Sequence, residues 1–187
     1  MALLSIQVPH EVARALGSIS VPGNHEGRET YHVTLLYLGK DIPIDEVSKA
    51  LVVAYRVAEI TRPIPLAVEE VGSFPKGDDG YPIICLVKSP ELHQLWEALC
   101  SSFDAAKVDY SKKFQVYKPH VTLAYDTVEL KENLQVGPFD WVSYEMTLWS
   151  GNSGDDAVSI TIPFSFPSKE ALYRRVVQAR VKFPAYL

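Results

Sequence analysis

The tetrapeptide His32-Val33-Thr34-Leu35 returns later in the chain as His120-Val121-Thr122-Leu123. The runs around the two copies, 31–39 and 117–125, are rich in Val, Thr, Leu and Tyr and show no helical period, which predicts two β-strands. Because strand side chains alternate between faces, each copy presents a histidine and a threonine on one face and two aliphatic residues on the other.

Two imidazoles, each with a hydroxyl two residues further on, supply a general acid, a general base and two hydrogen-bond donors for an anionic oxygen. This set of groups can cleave a phosphoester bond without a metal ion. For either copy alone, an ordinary strand with a structurally satisfied histidine is an equally good interpretation. The two copies together, in their sequence context, favour catalysis.

The length of 187 residues predicts one domain, which we place at 1–167, and a basic helical extension at 168–187. The basic residues of the extension are typical of a solvated helix face. Hydrophobic residues make up 47% of the chain and charged residues 22%, which predicts a globular protein. Cys85 and Cys100 are too few for a disulfide framework, so reduced thiols are expected.

The net charge of −5 and the pI near 5.5 argue against an extended nucleic-acid duplex as partner. They do not argue against a small nucleotide or a short RNA end bound in one pocket. The chain shows no secretion signal and no apolar run of membrane-spanning length, which predicts a soluble cytoplasmic protein with no membrane partner. The sequence leaves the oligomeric state open.

Strand and helix patterns alternate along the chain, which indicates an α+β domain. We predict two lobes in a pseudo-twofold arrangement, with antiparallel sheets, flanking helices and the motif strands facing a central cleft. The predicted elements, in order, are a strand at 3–8, a helix at 9–16, a motif strand at 31–39, a helix at 44–60, strands at 64–74 and 81–88, a helix at 90–103, a motif strand at 117–125, and a closing hairpin at 141–149 and 158–166. In this prediction the closing hairpin belongs to the lobe of the second motif, and 126–138 is a loop.

The sequence resembles the 2H phosphoesterase superfamily, which includes 2′-5′ RNA ligase-like proteins and cyclic phosphodiesterases. Three stretches carry the resemblance, and they are Tyr31-His32-Val33-Thr34-Leu35-Leu36-Tyr37-Leu38-Gly39, Val71-Gly72-Ser73-Phe74-Pro75 and Lys118-Pro119-His120-Val121-Thr122-Leu123-Ala124. The motif spacing of 120 − 32 = 88 residues suits the family, and the resemblance covers about 3–166. Bacterial 2′-5′ RNA ligase-like members often carry Arg after the last Ala, where this chain has Tyr125, so Lys118 is the candidate replacement.

The resemblance implies hydrolysis of a nucleotide phosphodiester, either a 2′,3′-cyclic phosphate or a 2′-5′ linkage, with no cofactor and no metal. Thr34 and Thr122 are expected to bind the phosphate. We assign His120 as base and His32 as acid in the opening of a 2′,3′-cyclic phosphate, and the pseudo-symmetry leaves the reverse assignment open. Phe74 is a candidate for base stacking, at even weight with core packing. Tyr81 and Lys118 are the other substrate-binding candidates. Strict alternation turns Tyr31, Tyr117 and Tyr125 away from the histidines, so we expect them to pack in the core.

Three alternatives stay open. The substrate could be a cyclic di- or oligonucleotide signal, as for phage members of the superfamily that erase host defence messengers. The chain could also be a nucleotide-binding module without turnover, although both complete motifs argue against this. A metal site is the weakest option, because only two histidines converge and open catalytic zinc sites normally use three protein ligands. The natural substrate, and whether a 2′- or a 3′-phosphate is left, are not decided by the sequence.

Overall fold

Two antiparallel β-sheets with α-helices form the fold in a computed structural model, which describes residues 1–113, 116–151 and 158–165. The α-helices of these residues are His10–Leu16 (α1), Ile44–Ala58 (α2) and Pro90–Ala106 (α3). None of them is long and apolar enough to cross a membrane. The predicted extension at 168–187 lies outside the described residues.

The strands of the described residues are Ala2–Gln7 (β1), Asn24–His25 (β2), His32–Gly39 (β3), Ile64–Ser73 (β4), Tyr81–Lys88 (β5), His120–Asp126 (β6), Leu134–Ser143 (β7), Glu145–Ser150 (β8) and Val158–Pro163 (β9). The first sheet has the order β3-β1-β8-β9 and the second sheet the order β2-β6-β5-β4-β7. All strand pairs are antiparallel. The predicted α+β class, with one motif strand in each sheet, is therefore confirmed.

The helices begin and pack as their sequences indicate. Ser89 caps α3 by accepting a hydrogen bond from the backbone N–H of Leu92 at 3.1 Å, and Pro90 occupies the first turn, where it needs no donor. Helix α2 contacts α3, β8 and β9. The residues of α2 that are buried in these contacts recur every three or four positions, and they are Val47, Ala50, Val53, Ala54, Val57 and Ala58.

The closing segment differs from the prediction. A single strand at 141–149 is wrong, because β7 ends at Ser143 and β8 begins at Glu145. Strand β7 pairs with β4 in the second sheet, whereas β8 pairs with β1 in the first. The hairpin β8–β9 therefore belongs with the first motif, not with the second. The predicted loop at 126–138 is also too long, since β7 already begins at Leu134.

Candidate active site

The two motif strands contact each other where the two sheets meet. Strand β3 lies at the edge of the first sheet beside β1, and β6 lies in the second sheet between β2 and β5. A hydrogen bond reinforces the junction, because the Tyr117 hydroxyl, just before β6, donates to the Thr34 carbonyl at 3.0 Å. Tyr117 also stacks on Trp96 with ring centroids 5.1 Å apart. The predicted packing role of Tyr117 therefore holds, and this side chain links the two motif segments.

Both motif strands have an extra residue at the same place, the leucine of the repeated tetrapeptide. On β3, Leu36 pairs with Leu4 and Thr34 pairs with Ser5, so Leu35 has no partner of its own. On β6, Ala124 pairs with Ile83 and Thr122 with Ile84, which leaves out Leu123 in the same way. In both strands the extra leucine and the residue after it are buried. These are β-bulges, which change the face on which the later side chains lie.

The bulges correct the expectation for Tyr125. Without a bulge, Tyr125 would lie on the face of Val121; with it, Tyr125 lies on the face of His120 and Thr122. On β3 the register places Tyr37 on the His32 face by the same shift. The expectation holds for Tyr31, which is only 2% exposed.

Both histidines are fixed by the same backbone contact. The Nδ1 atom of His32 lies 2.7 Å from the Thr30 carbonyl oxygen, and Nδ1 of His120 lies 2.7 Å from the Lys118 carbonyl oxygen. A carbonyl oxygen only accepts, so Nδ1 carries a proton in each ring. In the neutral form, Nε2 then holds the free lone pair. Each motif therefore holds a histidine whose Nε2 is ready to accept a proton.

The surroundings of His120, which include the charge of the other motif histidine, lower its pKa. Burial lowers the pKa of His120, and the charge of His32 lowers it further, against the opposing effect of the hydrogen bond to Lys118. Phe74 supplies part of the apolar cover, since its ring meets the His120 ring edge-on with centroids 4.7 Å apart. His120 therefore favours the neutral form at neutral pH.

The residues that neighbour the two motifs on adjacent strands differ between the two sheets. Residues paired across antiparallel strands lie on the same face, so His32 has Gln7 as its neighbour and Thr34 has Ser5. The Gln7 amide nitrogen donates to the Ser5 hydroxyl at 3.2 Å. In the second sheet the corresponding neighbours are apolar, and they are Leu86 beside His120, Ile84 beside Thr122 and Pro82 beside Tyr125. The cross-strand neighbours of the first motif are thus polar, and those of the second motif are apolar.

The other predicted site residues lie in different places. Lys118 is exposed two residues before His120, and its carbonyl orients that ring. Tyr81 is half-buried opposite Asp126, and the register places it on the face of Ile83 rather than on the face of Tyr125. Sequence reasoning assigned Tyr125 to the core and did not consider Gln7, and the strand register places both on the faces of the motif histidines. A signal for Tyr125 was present, because the repeat extends to His-Val-Thr-Leu-x-Tyr in both copies, at 32–37 and 120–125.

Among residues 1–113, 116–151 and 158–165, no group of three or more His, Cys, Asp and Glu side chains could hold a metal ion. The polar groups that the motif strands bring together are two imidazoles and two hydroxyls. Such a set donates and accepts protons and hydrogen bonds.

A two-lobed α+β fold with paired His-Val-Thr-Leu strands defines the 2H phosphoesterase class, and comparison with known proteins agrees. The family model of the 2′-5′ RNA ligase superfamily matches residues 8–141, so the chain belongs to this superfamily. No curated protein sequence matches the chain.

Solved structures share the fold at low sequence identity. The protein TT0787 of Thermus thermophilus aligns with a TM-score of 0.69 and 20% identity, covering 90% of this chain and 98% of that one. LigT of E. coli in its apo form aligns with a TM-score of 0.65 and 16% identity, covering 88% and 97%. LigT complexed with 3′-AMP aligns with a TM-score of 0.63 and 19% identity, covering 86% and 93%.

Proposed function

We propose that the protein is a metal-independent phosphodiesterase that hydrolyses a nucleotide phosphodiester, either a 2′,3′-cyclic phosphate or a 2′-5′ linkage. The observation that carries this proposal is the pair of histidines held by identical Nδ1–carbonyl bonds of 2.7 Å on contacting strands. Membership of the 2′-5′ RNA ligase superfamily supports the substrate class. The complexes of the similar E. coli LigT with 3′-AMP and with ATP support a nucleotide ligand.

His120 is the general base in this mechanism. Its lowered pKa keeps the ring neutral at neutral pH, and its Nε2 lone pair accepts a proton from water. The water oxygen then bonds to phosphorus while the bond from phosphorus to one ribose oxygen breaks. His32 delivers a proton to that departing oxygen. After the reaction His120 is protonated and His32 is neutral, the reverse of the starting state. Proton exchange with solvent restores the starting state.

Thr34 and Thr122 bind the phosphate. Each lies two residues after its histidine on the same face and is half-buried. Their hydroxyls donate to the two non-bridging oxygens, where negative charge increases in the transition state. The exposed ammonium group of Lys118 adds an attractive charge at the entrance of the cleft. Phe74 covers His120 and offers its remaining surface to a base.

The decisive experiment incubates the pure protein, with excess chelator, with 2′,3′-cyclic mononucleotides, 2′-5′ and 3′-5′ dinucleotides and cyclic oligonucleotides. Chromatography of the products identifies the bond that is cleaved and the position of the remaining phosphate. We expect turnover of a cyclic mononucleotide or a 2′-5′ dinucleotide. Turnover of cyclic oligonucleotides alone would move the substrate to that class. Binding without turnover of any substrate would make the protein a binding module and contradict the proposal.

A further inference from the structure

The two motifs lie in different sheets, so strand pairing does not set the distance between them. No strand pair of the described residues joins the first sheet to the second. Strands β3 and β6 nevertheless contact each other. Because the proposed mechanism needs one phosphate to meet groups of both motifs, the contacts that hold β3 and β6 together also determine the geometry of the site.

The chain segment between α3 and β6 bonds to β3 at two points. The backbone N–H of Ser111 donates to the Tyr37 carbonyl at 2.8 Å, and the Tyr117 hydroxyl donates to the Thr34 carbonyl at 3.0 Å. Strand β3 is the edge of its sheet, where carbonyl groups on the outer side have no strand partner. Of these two bonds, that of Tyr117 comes from a side chain and reaches a motif residue. It also begins only three residues before His120.

The ring of Tyr117 contacts two aromatic rings of α3. It stacks on Trp96, with centroids 5.1 Å apart and ring planes within 2° of parallel. The His93 ring stands nearly perpendicular to it, with centroids 5.3 Å apart. Aromatic pairs in these geometries favour defined ring positions, so α3 holds the Tyr117 hydroxyl in place.

The hydrogen bond from Tyr117 has one possible direction. Burial raises the pKa of Tyr117, so its hydroxyl keeps the proton at neutral pH. The Thr34 carbonyl oxygen can only accept. Because the bond uses the backbone of Thr34, the Thr34 hydroxyl stays available for the phosphate.

We propose that Tyr117 is a positioning residue, which holds the Thr34 backbone beside the second motif and so sets the separation at which one phosphate meets both motifs. This inference rests on the proposed function. The effect of Tyr117 passes through the Thr34 backbone. Loss of its hydroxyl should therefore change the geometry of the site and leave the reacting groups themselves intact.

Substitutions at the two ends of the ring stack test the proposal. Tyr117→Phe removes the hydroxyl and keeps the ring, whereas Trp96→Leu removes the stacked ring and keeps the hydroxyl. Tyr55→Phe is the matched control, because the Tyr55 hydroxyl also donates to a strand carbonyl of the first sheet, that of Thr161 at 3.4 Å, but between α2 and β9. The three variants and the double variant Tyr117→Phe/Trp96→Leu are assayed on the substrate that the wild-type protein hydrolyses best. Circular dichroism and thermal melting establish whether each variant is folded.

We expect Tyr117→Phe to lower kcat roughly ten- to a hundredfold, because a displacement of about 1 Å at a catalytic group can cost about 10²-fold in rate. Trp96→Leu should cause a smaller loss. Adding Trp96→Leu to Tyr117→Phe should cause no further loss, since the position of the ring matters only while its hydroxyl is bonded. Tyr55→Phe should match the wild type.

An NMR titration of His120 supplies a readout that a purely stabilising role would not change. The charge of His32 contributes to lowering the pKa of His120, and this contribution weakens with distance. The change in the His120 pKa on His32→Ala should therefore be smaller in the Tyr117→Phe background than in the wild-type background.

Three results would overturn the inference: an unchanged kcat in folded Tyr117→Phe, additive losses in the double variant, or the same effect of His32→Ala on His120 with and without the Tyr117 hydroxyl. If Tyr117→Phe does not fold, Trp96→Leu decides, and a wild-type kcat in that variant would overturn the inference. In each case the wild-type protein would still be active, so the proposed function would stand. A wild-type protein without turnover would instead contradict the proposed function.

Discussion

The two motif strands have the same sequence pattern, the same bulge and the same histidine anchor, but they lie in different surroundings. His32 has the polar Gln7 beside it, whereas His120 has Leu86 beside it and Phe74 against its ring. In the proposed mechanism the repeated features bind the phosphate symmetrically. The features that differ include those that bury His120 and lower its pKa, and in that mechanism they favour His120 as the base. The pseudo-twofold symmetry thus belongs to the backbone and the motif, and the asymmetry comes from the neighbouring strands.

The largest expected effect comes from removing either histidine. His32→Ala and His120→Ala should each lower kcat about 10²–10⁴-fold, because each loses one proton-transfer step. Steady-state kinetics with chelator present measures the loss. His10→Ala is the matched control, since His10 is exposed on α1. A variant of either motif histidine with wild-type activity would break the proposed pairing.

Substitutions of the two threonines test whether both motifs contribute equally to phosphate binding. Thr34→Ala and Thr122→Ala should each lower kcat, by about 10²–10³-fold if each hydroxyl acts as a transition-state donor. The two losses should be of similar size, because both hydroxyls contact equivalent phosphate oxygens. The serine variants keep the hydroxyl and should keep most of the activity. A large loss at one threonine and none at the other would show that the phosphate is bound from one strand only.

A substitution at Phe74 tests the difference between the surroundings of the two histidines. Phe74→Ala exposes the His120 ring to water and so weakens the burial that lowers its pKa. Activity requires neutral His120 and falls as pH drops through its pKa, so the acidic limb of the pH–rate profile should move to higher pH. The loss is therefore largest in mildly acidic solution and small at neutral pH. The control Phe103→Leu, a change on the buried face of α3, should leave the acidic limb in place.

The smallest expected effect is at Lys118. Lys118→Met should raise KM about two- to fivefold at low salt, and the difference should shrink as salt increases, because the side chain is exposed.

Tyr81→Phe tests a candidate that the strand register places on the other face from Tyr125. If the face assigned by the register is correct, this change has little effect, and a marked rise in KM would restore Tyr81 as a substrate-binding residue.

The sequence predicted the local part of this structure. Strand composition, helix caps and the repeated motif depend on neighbouring residues, so they could be read from the chain, as Ser89 and Pro90 at the start of α3 illustrate. The bulges at Leu35 and Leu123 could not be predicted from the sequence. A residue is extra only relative to the strand it pairs with, and that strand is distant in sequence. Strict alternation then assigned Tyr125 to the wrong face.

The pairing of strands that are distant in sequence could not be predicted either. The run from Trp141 to Trp149 alternates throughout, and nothing local marks the change of sheet at Tyr144. The two-residue strand β2 is visible only through its pairing with β6. The neighbours of the histidines, and with them the burial that lowers the pKa of His120, follow from these pairings. The candidate catalytic residues could be named from the motif, whereas the acid and base roles proposed for them depend on the assembled sheets.

The most direct test of the account is an NMR titration of the His120 ring in the wild-type protein and in His32→Ala, with His120→Ala used to assign the signal. It requires no knowledge of the natural substrate. We expect a wild-type His120 pKa below the ordinary value of about 6.5 and a higher pKa in His32→Ala, because the charge of His32 that lowers it is removed. Identical titration curves for His120 in the two proteins would show that the rings do not share a cleft and would contradict the account.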